Sequence, residues 1–148
     1  MQPYRLHHSL GYNLSLAARL QERRLEEGLR TLGLTRTTWC ILLGVGNEGL
    51  KRPSQIAAFV GIDRTATSRA LKQMEAENLI ERSNGEGDKR TTTVELTDAG
   101  RTRLDQGAPF AIANNAAMSE KLTESEFADL KRLLGKLTQG ERADLKRF

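Results

Sequence analysis

One stretch of this chain, "DRTATSRALKQMEAEN", holds side chains whose spacing suits contacts with nucleic acid. An α-helix turns by about 100° per residue, so polar residues of this stretch fall within one arc of about 140°. These residues are Arg64, Thr65, Ser68, Arg69 and Lys72. The opposite arc is small and apolar, and it holds Ala66, Thr67, Ala70, Leu71 and Met74.

The polar arc has the chemistry needed for a DNA major groove. Arginine, lysine and hydroxyl side chains bond to phosphates and to guanine edges, and no acid occurs between Asp63 and Glu75. The alternative is an ordinary solvated charged face. The absence of an acid and the glycine turn that precedes the helix favour DNA recognition.

A second cationic feature is the loop "NGEGDKR". Its glycines suit a chain reversal, and in extended chain residues i and i+2 point the same way. Asp88 could therefore brace the Arg90 guanidinium or cap the loop backbone as an Asx-turn. A braced Arg90 is expected in a narrow minor groove, while Lys89 points away and reaches the DNA backbone at most. The alternative is a hairpin loop with incidental charges.

The elements around these residues form a recognisable order. "RPSQIAAFVG" predicts a helix with Pro53 in its first turn, and Ala57 with Gly61 suits a close crossing and a turn. Asp63 is a predicted N-cap for the next helix, which should reach about Glu77. "LIER" and "TTTVEL" are β-prone stretches on either side of the loop, and they predict a β-hairpin. The middle of the chain therefore predicts a helix-turn-helix followed by a wing.

The two ends of the chain are predicted to be helical. Apolar spacing from Leu6 to Leu32 indicates one long amphipathic helix, too long for a small core to cover, so we expect it to pack on another subunit. "LTDAG" starts a helix capped by Thr97, which Pro109 should kink or interrupt. A capping box, Thr123 to Glu126, opens the last helix.

These elements predict a mainly α fold with a small β-hairpin in one compact unit. Its parts are an N-terminal dimerisation helix (1–34), a winged helix-turn-helix (35–96) and C-terminal dimerisation helices (97–148). Within the second part, "TRTTWCILLGVG" is a helix that Thr35 is expected to cap.

Composition limits the classes of function. The chain has 148 residues, a net charge of +4 and a sequence pI of about 9.5, which permits a polyanionic partner. Aromatic residues make up 5%, too few for a binder that stacks single-stranded bases. A single cysteine, no apolar leader and no long apolar run lead us to expect a cytoplasmic protein without a membrane partner.

The stretch "FVGIDRTATSRALKQMEAENLIER", the "DKR" of the loop and "VELTDAG" resemble the MarR (multiple antibiotic resistance regulator) family of winged-helix transcription factors. The resemblance runs from about Leu10 to Leu137. It implies a homodimer on palindromic double-stranded DNA operators, usually a repressor relieved by a small ligand. By position, it places Arg90 in the minor groove, oriented by Asp88, and Ser54 near the phosphate backbone. The residues it places toward the major groove are Arg64, Thr65, Ser68, Arg69 and Lys72.

The resemblance also suggests an effector site and a redox alternative. Trp39 is expected in the core, and by the resemblance it would border a cleft between the dimerisation helices and the winged domain. Tyr12 and Arg19 could join it there around a small phenolic or anionic effector. One branch of the family senses peroxides through a first-helix cysteine, but Gly11 stands at that position here. Cys40 lies instead in an apolar helical run, so core packing is favoured over a redox-responsive regulator.

Other chemistry finds little support. His7 and His8 are the only histidines, which is too few ligands for a metal site. We find no paired nucleophile and base, and no helix opens behind the "GEG" of the loop to make a phosphate site. We therefore predict no enzyme, no metal and no cofactor. The rival to a DNA-binding regulator is a winged-helix adaptor that binds protein and has lost DNA binding.

Overall fold

The computed structural model describes residues 1–85 and 88–141, and for residues 88–90 it describes the backbone alone. The elements follow one another in the order predicted for a winged helix. They are a 3₁₀ turn (Leu6–His8), α1 (Leu10–Arg30), α2 (Arg36–Gly46), α3 (Pro53–Val60), α4 (Arg64–Ala76), β1 (Ile80–Gly85), β2 (Asp88–Leu96), α5 (Asp98–Ser119) and α6 (Glu124–Thr138).

The first helix is shorter than its apolar spacing predicts. The α-helix begins at Leu10 rather than at Leu6, because Ser9 has extended backbone and its hydroxyl accepts the Tyr12 N–H at 3.4 Å. The residues before it form only a 3₁₀ turn. Periodicity alone cannot see this boundary, since Leu6 and Leu10 stand one helical turn apart.

The helix-turn-helix forms as predicted. Pro53 occupies the first turn of α3, and Gly61 ends that helix with φ of 82°, in the left-handed region that favours glycine. The carbonyl of Ala57 accepts the N–H groups of Gly61 and Ile62 at 2.9 and 3.2 Å. These bonds turn the chain sharply into α4, which begins one residue after Asp63.

The hairpin is an antiparallel pair of strands in which Ile80 lies opposite Leu96 and Arg82 opposite Val94. The register shifts between Asn84 and Gly85. The Val94 N–H also donates to the Lys51 carbonyl at 2.8 Å, which attaches the wing to the segment before α3. The predicted hairpin is thus confirmed, with strands longer than the two β-prone stretches.

The hydrophobic core lies where α2, α3, α4 and the hairpin meet. Its fully buried members come from each of these elements: Ile41, Leu42, Ile56, Leu71, Met74, Ile80 and Val94. Leu29 of α1 and Leu104 of α5 close it from the other side. The winged unit and the terminal helices therefore share one core.

Pro109 is predicted to kink or interrupt the helix after "LTDAG". An interruption is wrong, because α5 runs unbroken from Asp98 to Ser119, whereas a kink stays a prediction. Pro109 is exposed, so the carbonyl that loses its helical donor can bond to water. Contacts with α1 hold the turns that follow. The Phe110 ring lies against Gly28, and Asn114 accepts a hydrogen bond from Arg24 at 3.4 Å.

The last helix starts at its predicted capping box, in which Thr123 and Glu126 exchange hydrogen bonds of 2.8 and 3.2 Å. None of its side chains is buried within the single chain. Among the described residues, no helix combines the length and the apolar character that crossing a membrane requires.

Candidate nucleic-acid interface

Helix α4 divides into the two faces that its sequence predicts. The polar arc is exposed, and its members are Arg64, Thr65, Ser68, Arg69 and Lys72. The opposite face is covered, with Thr67, Leu71 and Met74 buried and Ala66 and Ala70 half-buried. Packing of the second face on the core holds the first face toward solvent.

Asp63 fixes the start of α4. Its carboxylate accepts the Ala66 N–H at 2.7 Å, and its carbonyl accepts the Thr67 hydroxyl at 2.8 Å. Thr67 is 1% exposed, so this bond also satisfies a hydroxyl that water cannot reach. The predicted N-cap is confirmed, and it determines which residues of α4 point outward.

Removing this cap is expected to cost about 1 kcal/mol of folding free energy, because the orphan N–H groups of the first turn lose their acceptor. The variant is Asp63→Ala, and the measurement is chemical denaturation followed by circular dichroism. Asp63→Asn is the matched control, since it keeps a capping oxygen and should lose only a few tenths of a kcal/mol. Equal stability of the alanine variant and the wild type would contradict the role of this cap.

The cations of the exposed face have no acidic partner in the part of the chain that is described. Arg64, Arg69 and Lys72 form no ion pair with another described residue. Three positive charges on one helix face, without a neutralising carboxylate, attract a polyanion.

A groove of about 480 Å³ runs between α3, α4 and the hairpin. Its polar lining comes from all three elements: Arg52, Ser54, Arg64, Thr67, Ser68, Arg82, Thr91 and Thr92. Ser54 is exposed at the start of α3 and lines this groove together with Ser68 of α4, and its place near the phosphate backbone stays a prediction. Sequence reasoning missed Arg52 and Arg82, although Arg52 directly precedes the helix-starting Pro53 and was visible as a cation beside Ser54.

Arg82 is held by Glu75 across the junction of α4 and β1. One carboxylate oxygen, Oε2, accepts from Arg82 Nη2 at 2.6 Å and from Nε at 3.0 Å. These hydrogen bonds lower the pKa of Glu75 below its ordinary value of 4.5. A lowered carboxyl pKa stabilises the fold above pH 4.5, and this contribution is lost as the pH falls through the pKa of the folded state. The pair is therefore intact at neutral pH.

The tip of the wing carries three of the predicted contacts. The backbone of β2 begins at Asp88, opposite Gly85. The side chains of Asp88, Lys89 and Arg90 lie outside the described part of the chain, as do Glu86 and Gly87. Their roles in groove contact and chain reversal remain predictions.

No described contact joins the three residues predicted to line an effector pocket, Tyr12, Arg19 and Trp39. The Tyr12 ring pairs with His7 at a centroid distance of 5.2 Å. Arg19 is exposed and its Nε donates to the Ser15 carbonyl at 3.3 Å. Trp39 is 3% exposed and lies against Gly107 of α5. A shared pocket remains a prediction.

Cys40 is half-buried in α2 and packs against the core. Burial raises the pKa of its thiol, and the nearby Arg36 guanidinium offsets only part of that rise. Since the thiolate is the reactive form, a raised pKa disfavours oxidation at neutral pH. Arg36 is itself engaged by Glu22 at 2.9 Å and Glu26 at 2.8 Å, which ties α2 to α1.

Comparison with known proteins gives the same architecture. Residues 32–91, from the turn after α1 into β2, match the model of the MarR family. A Pseudomonas aeruginosa structure described as a "probable transcriptional regulator" is 28% identical, with a TM-score of 0.80 over 90% of this chain and 99% of the other.

Two further similar structures are of proteins for which a ligand is known. A mutant MarR from E. coli complexed with operator DNA is 25% identical, with a TM-score of 0.78 over 86% of this chain and 92% of that one. BpsR from Bordetella bronchiseptica, whose DNA binding is regulated by 6-hydroxynicotinic acid, is 21% identical, with a TM-score of 0.85 over 95% and 100%. The last likeness speaks for the fold alone.

Proposed function

Since the chain belongs to the MarR family of winged-helix proteins, we propose that it is a homodimeric transcription regulator that binds palindromic double-stranded DNA. The observation that carries this proposal is the exposed face of α4, which presents two arginines, a lysine and two hydroxyls while its other face is buried. An adaptor that binds only protein has no need of such a face.

In this proposal α4 enters the major groove. Arg69 and Lys72 contact guanine edges or phosphates, and Arg64 reaches the backbone from the first turn. Ser54, at the start of α3, meets a phosphate on the neighbouring strand. Arg90 enters the minor groove, with Asp88 as its orienting partner.

The terminal helices support a dimer, because they expose apolar side chains that a single chain leaves in water. Exposed leucines on α1 are Leu10, Leu14, Leu16 and Leu20, and those on α6 are Leu130, Leu133, Leu134 and Leu137. The four leucines of α6 fall within an arc of about 100°, and a clustered exposed apolar face is typical of a protein interface. A two-fold axis through these helices would place two α4 helices about one turn of DNA apart.

A double substitution in α6 tests the dimer. Leu130→Glu with Leu134→Glu puts two charges into the proposed interface, and light scattering should then give the mass of a monomer at micromolar concentration. Arg132→Glu is the control, because position 132 lies about 160° around the helix from both leucines and should leave the mass of a dimer. A monomeric wild type, or a dimeric double variant, would contradict the proposed interface.

We further propose that DNA binding represses transcription and that a small phenolic or anionic effector relieves it. The support is the regulation of BpsR by an aromatic acid and the place of Trp39 beside α5, near the junction of the winged unit and the terminal helices. Tyr12 and Arg19 would join Trp39 in the assembled dimer.

Selection from a random duplex library identifies the operator and tests the function. The expected product is an inverted repeat whose half-sites are centred about 10 base pairs apart, as two-fold related helices require. A library that shows no enrichment after repeated selection would reject sequence-specific DNA binding and favour the adaptor.

A further inference from the structure

Three arginines line the groove beside α4, and one of them forms an ion pair. Arg52 and Arg64 form no ion pair with a described residue, whereas Arg82 is bound to Glu75. All three line the same groove, next to the exposed face of α4. An arginine in this place would add to a DNA-binding surface, so its pairing with an acid requires a reason.

The geometry of the pair is that of a strong interaction. Both Arg82 N–H groups converge on one Glu75 oxygen, and charge-assisted bonds of this kind are the strongest hydrogen bonds in proteins. The two side chains remain 29% and 40% exposed, so water and a phosphate group can reach them. A phosphate and the Glu75 carboxylate would therefore compete for the same guanidinium.

We propose that Glu75 is a specificity-determining residue of the DNA interface, which withholds Arg82 from phosphate contact. The inference rests on the proposed function. Phosphate contacts carry no sequence information, and each one strengthens binding to every duplex. By occupying Arg82, Glu75 keeps binding to random DNA weak while α4 still reads the operator.

The test compares Glu75→Gln with Glu77→Gln in fluorescence anisotropy titrations on a random duplex. Each variant removes one carboxylate from the end of α4, but Glu77 accepts its hydrogen bond from Gln73, not from a cation. Because the proposed dimer carries two Arg82 side chains, Glu75→Gln should steepen the slope of log K against log salt by up to about 1.8, or about 0.9 for each phosphate contact, and tighten random-duplex binding up to about 60-fold at 0.1 M salt. Glu77→Gln should leave the slope unchanged.

Removing the arginine shows whether it is the group released. The double variant Glu75→Gln with Arg82→Gln should return to the wild-type slope, and Arg82→Gln alone should match the wild type. A shallower slope for Arg82→Gln alone than for the wild type would show that Arg82 already contacts phosphate in the wild type, and this result would overturn the inference. Equal slopes for wild type, Glu75→Gln and Glu77→Gln would also overturn the inference. A wild type that binds no DNA would instead reject the proposed function itself.

Discussion

Arg69→Ala is expected to weaken operator binding by about five- to 150-fold for each half-site, the equivalent of about 1–3 kcal/mol per bidentate contact to a base pair, and both half-sites of the proposed dimer lose this contact. Arg69 is exposed on α4 and makes no ion pair with a described residue, so the wild-type chain presents its full charge to DNA. Its loss should relax the preference for one base pair of each half-site. The measurement is anisotropy titration on the selected operator and on duplexes changed at single positions.

Two controls separate the contact from general effects. Gln73→Ala changes an exposed residue of the same helix whose side chain donates a hydrogen bond to Glu77, and it should leave affinity within about twofold. Arg69→Lys keeps the charge but loses the planar fork, so it should retain salt-dependent binding while losing base preference. Unchanged affinity and base preference in Arg69→Ala would remove this residue from the interface.

Gly100→Ala is expected to destabilise the fold by about 3 kcal/mol, at the upper end of the cost of overpacking a core. A Cβ at position 100 would collide with the carbonyl oxygen of Leu79, which is backbone and cannot rotate away. That carbonyl accepts the Thr97 N–H at 3.2 Å, and the Thr97 hydroxyl donates to the Asn78 carbonyl at 2.6 Å. The start of α5 is thus docked on the turn between α4 and β1.

The free energy of unfolding of Gly100→Ala and of a second variant, Gly135→Ala, is measured by chemical denaturation. Gly135→Ala is the control, because a Cβ there meets nothing within 4 Å. It should stabilise α6 by about 0.5–1 kcal/mol, as alanine does in place of a helical glycine. A Gly100→Ala protein as stable as the wild type would show that the docking of α5 on the turn is not tight.

The parts of the fold that depend on local chemistry could be predicted from the sequence. Thr35, Asp63, Thr97 and Thr123 each cap the helix that they were expected to cap. A cap involves only three or four neighbouring residues, so short-range sequence determines it. Pro109 is the counterexample, since packing of α5 on α1 outweighs the local cost of a proline on the solvent side.

The candidate site divides in the same way. The exposed face of α4 could be predicted because Thr67, Leu71 and Met74, which are buried, recur at helical spacing and leave the polar residues on the opposite face. The groove could not, because it joins Arg52 and Arg82, which are thirty residues apart in the chain and meet only after the hairpin folds back. The proposed effector pocket depends on a second chain, whose position no single sequence reveals.

The most direct test of DNA recognition is a salt titration of the wild-type chain on its selected operator and on a scrambled duplex of equal length. Log K for the operator should fall linearly with log salt, with a slope of about −5 for about six neutralised phosphates. At physiological salt the operator should bind at least about a thousandfold tighter than the scrambled duplex. Equal affinity for the two duplexes, or binding that does not change with salt, would contradict the account.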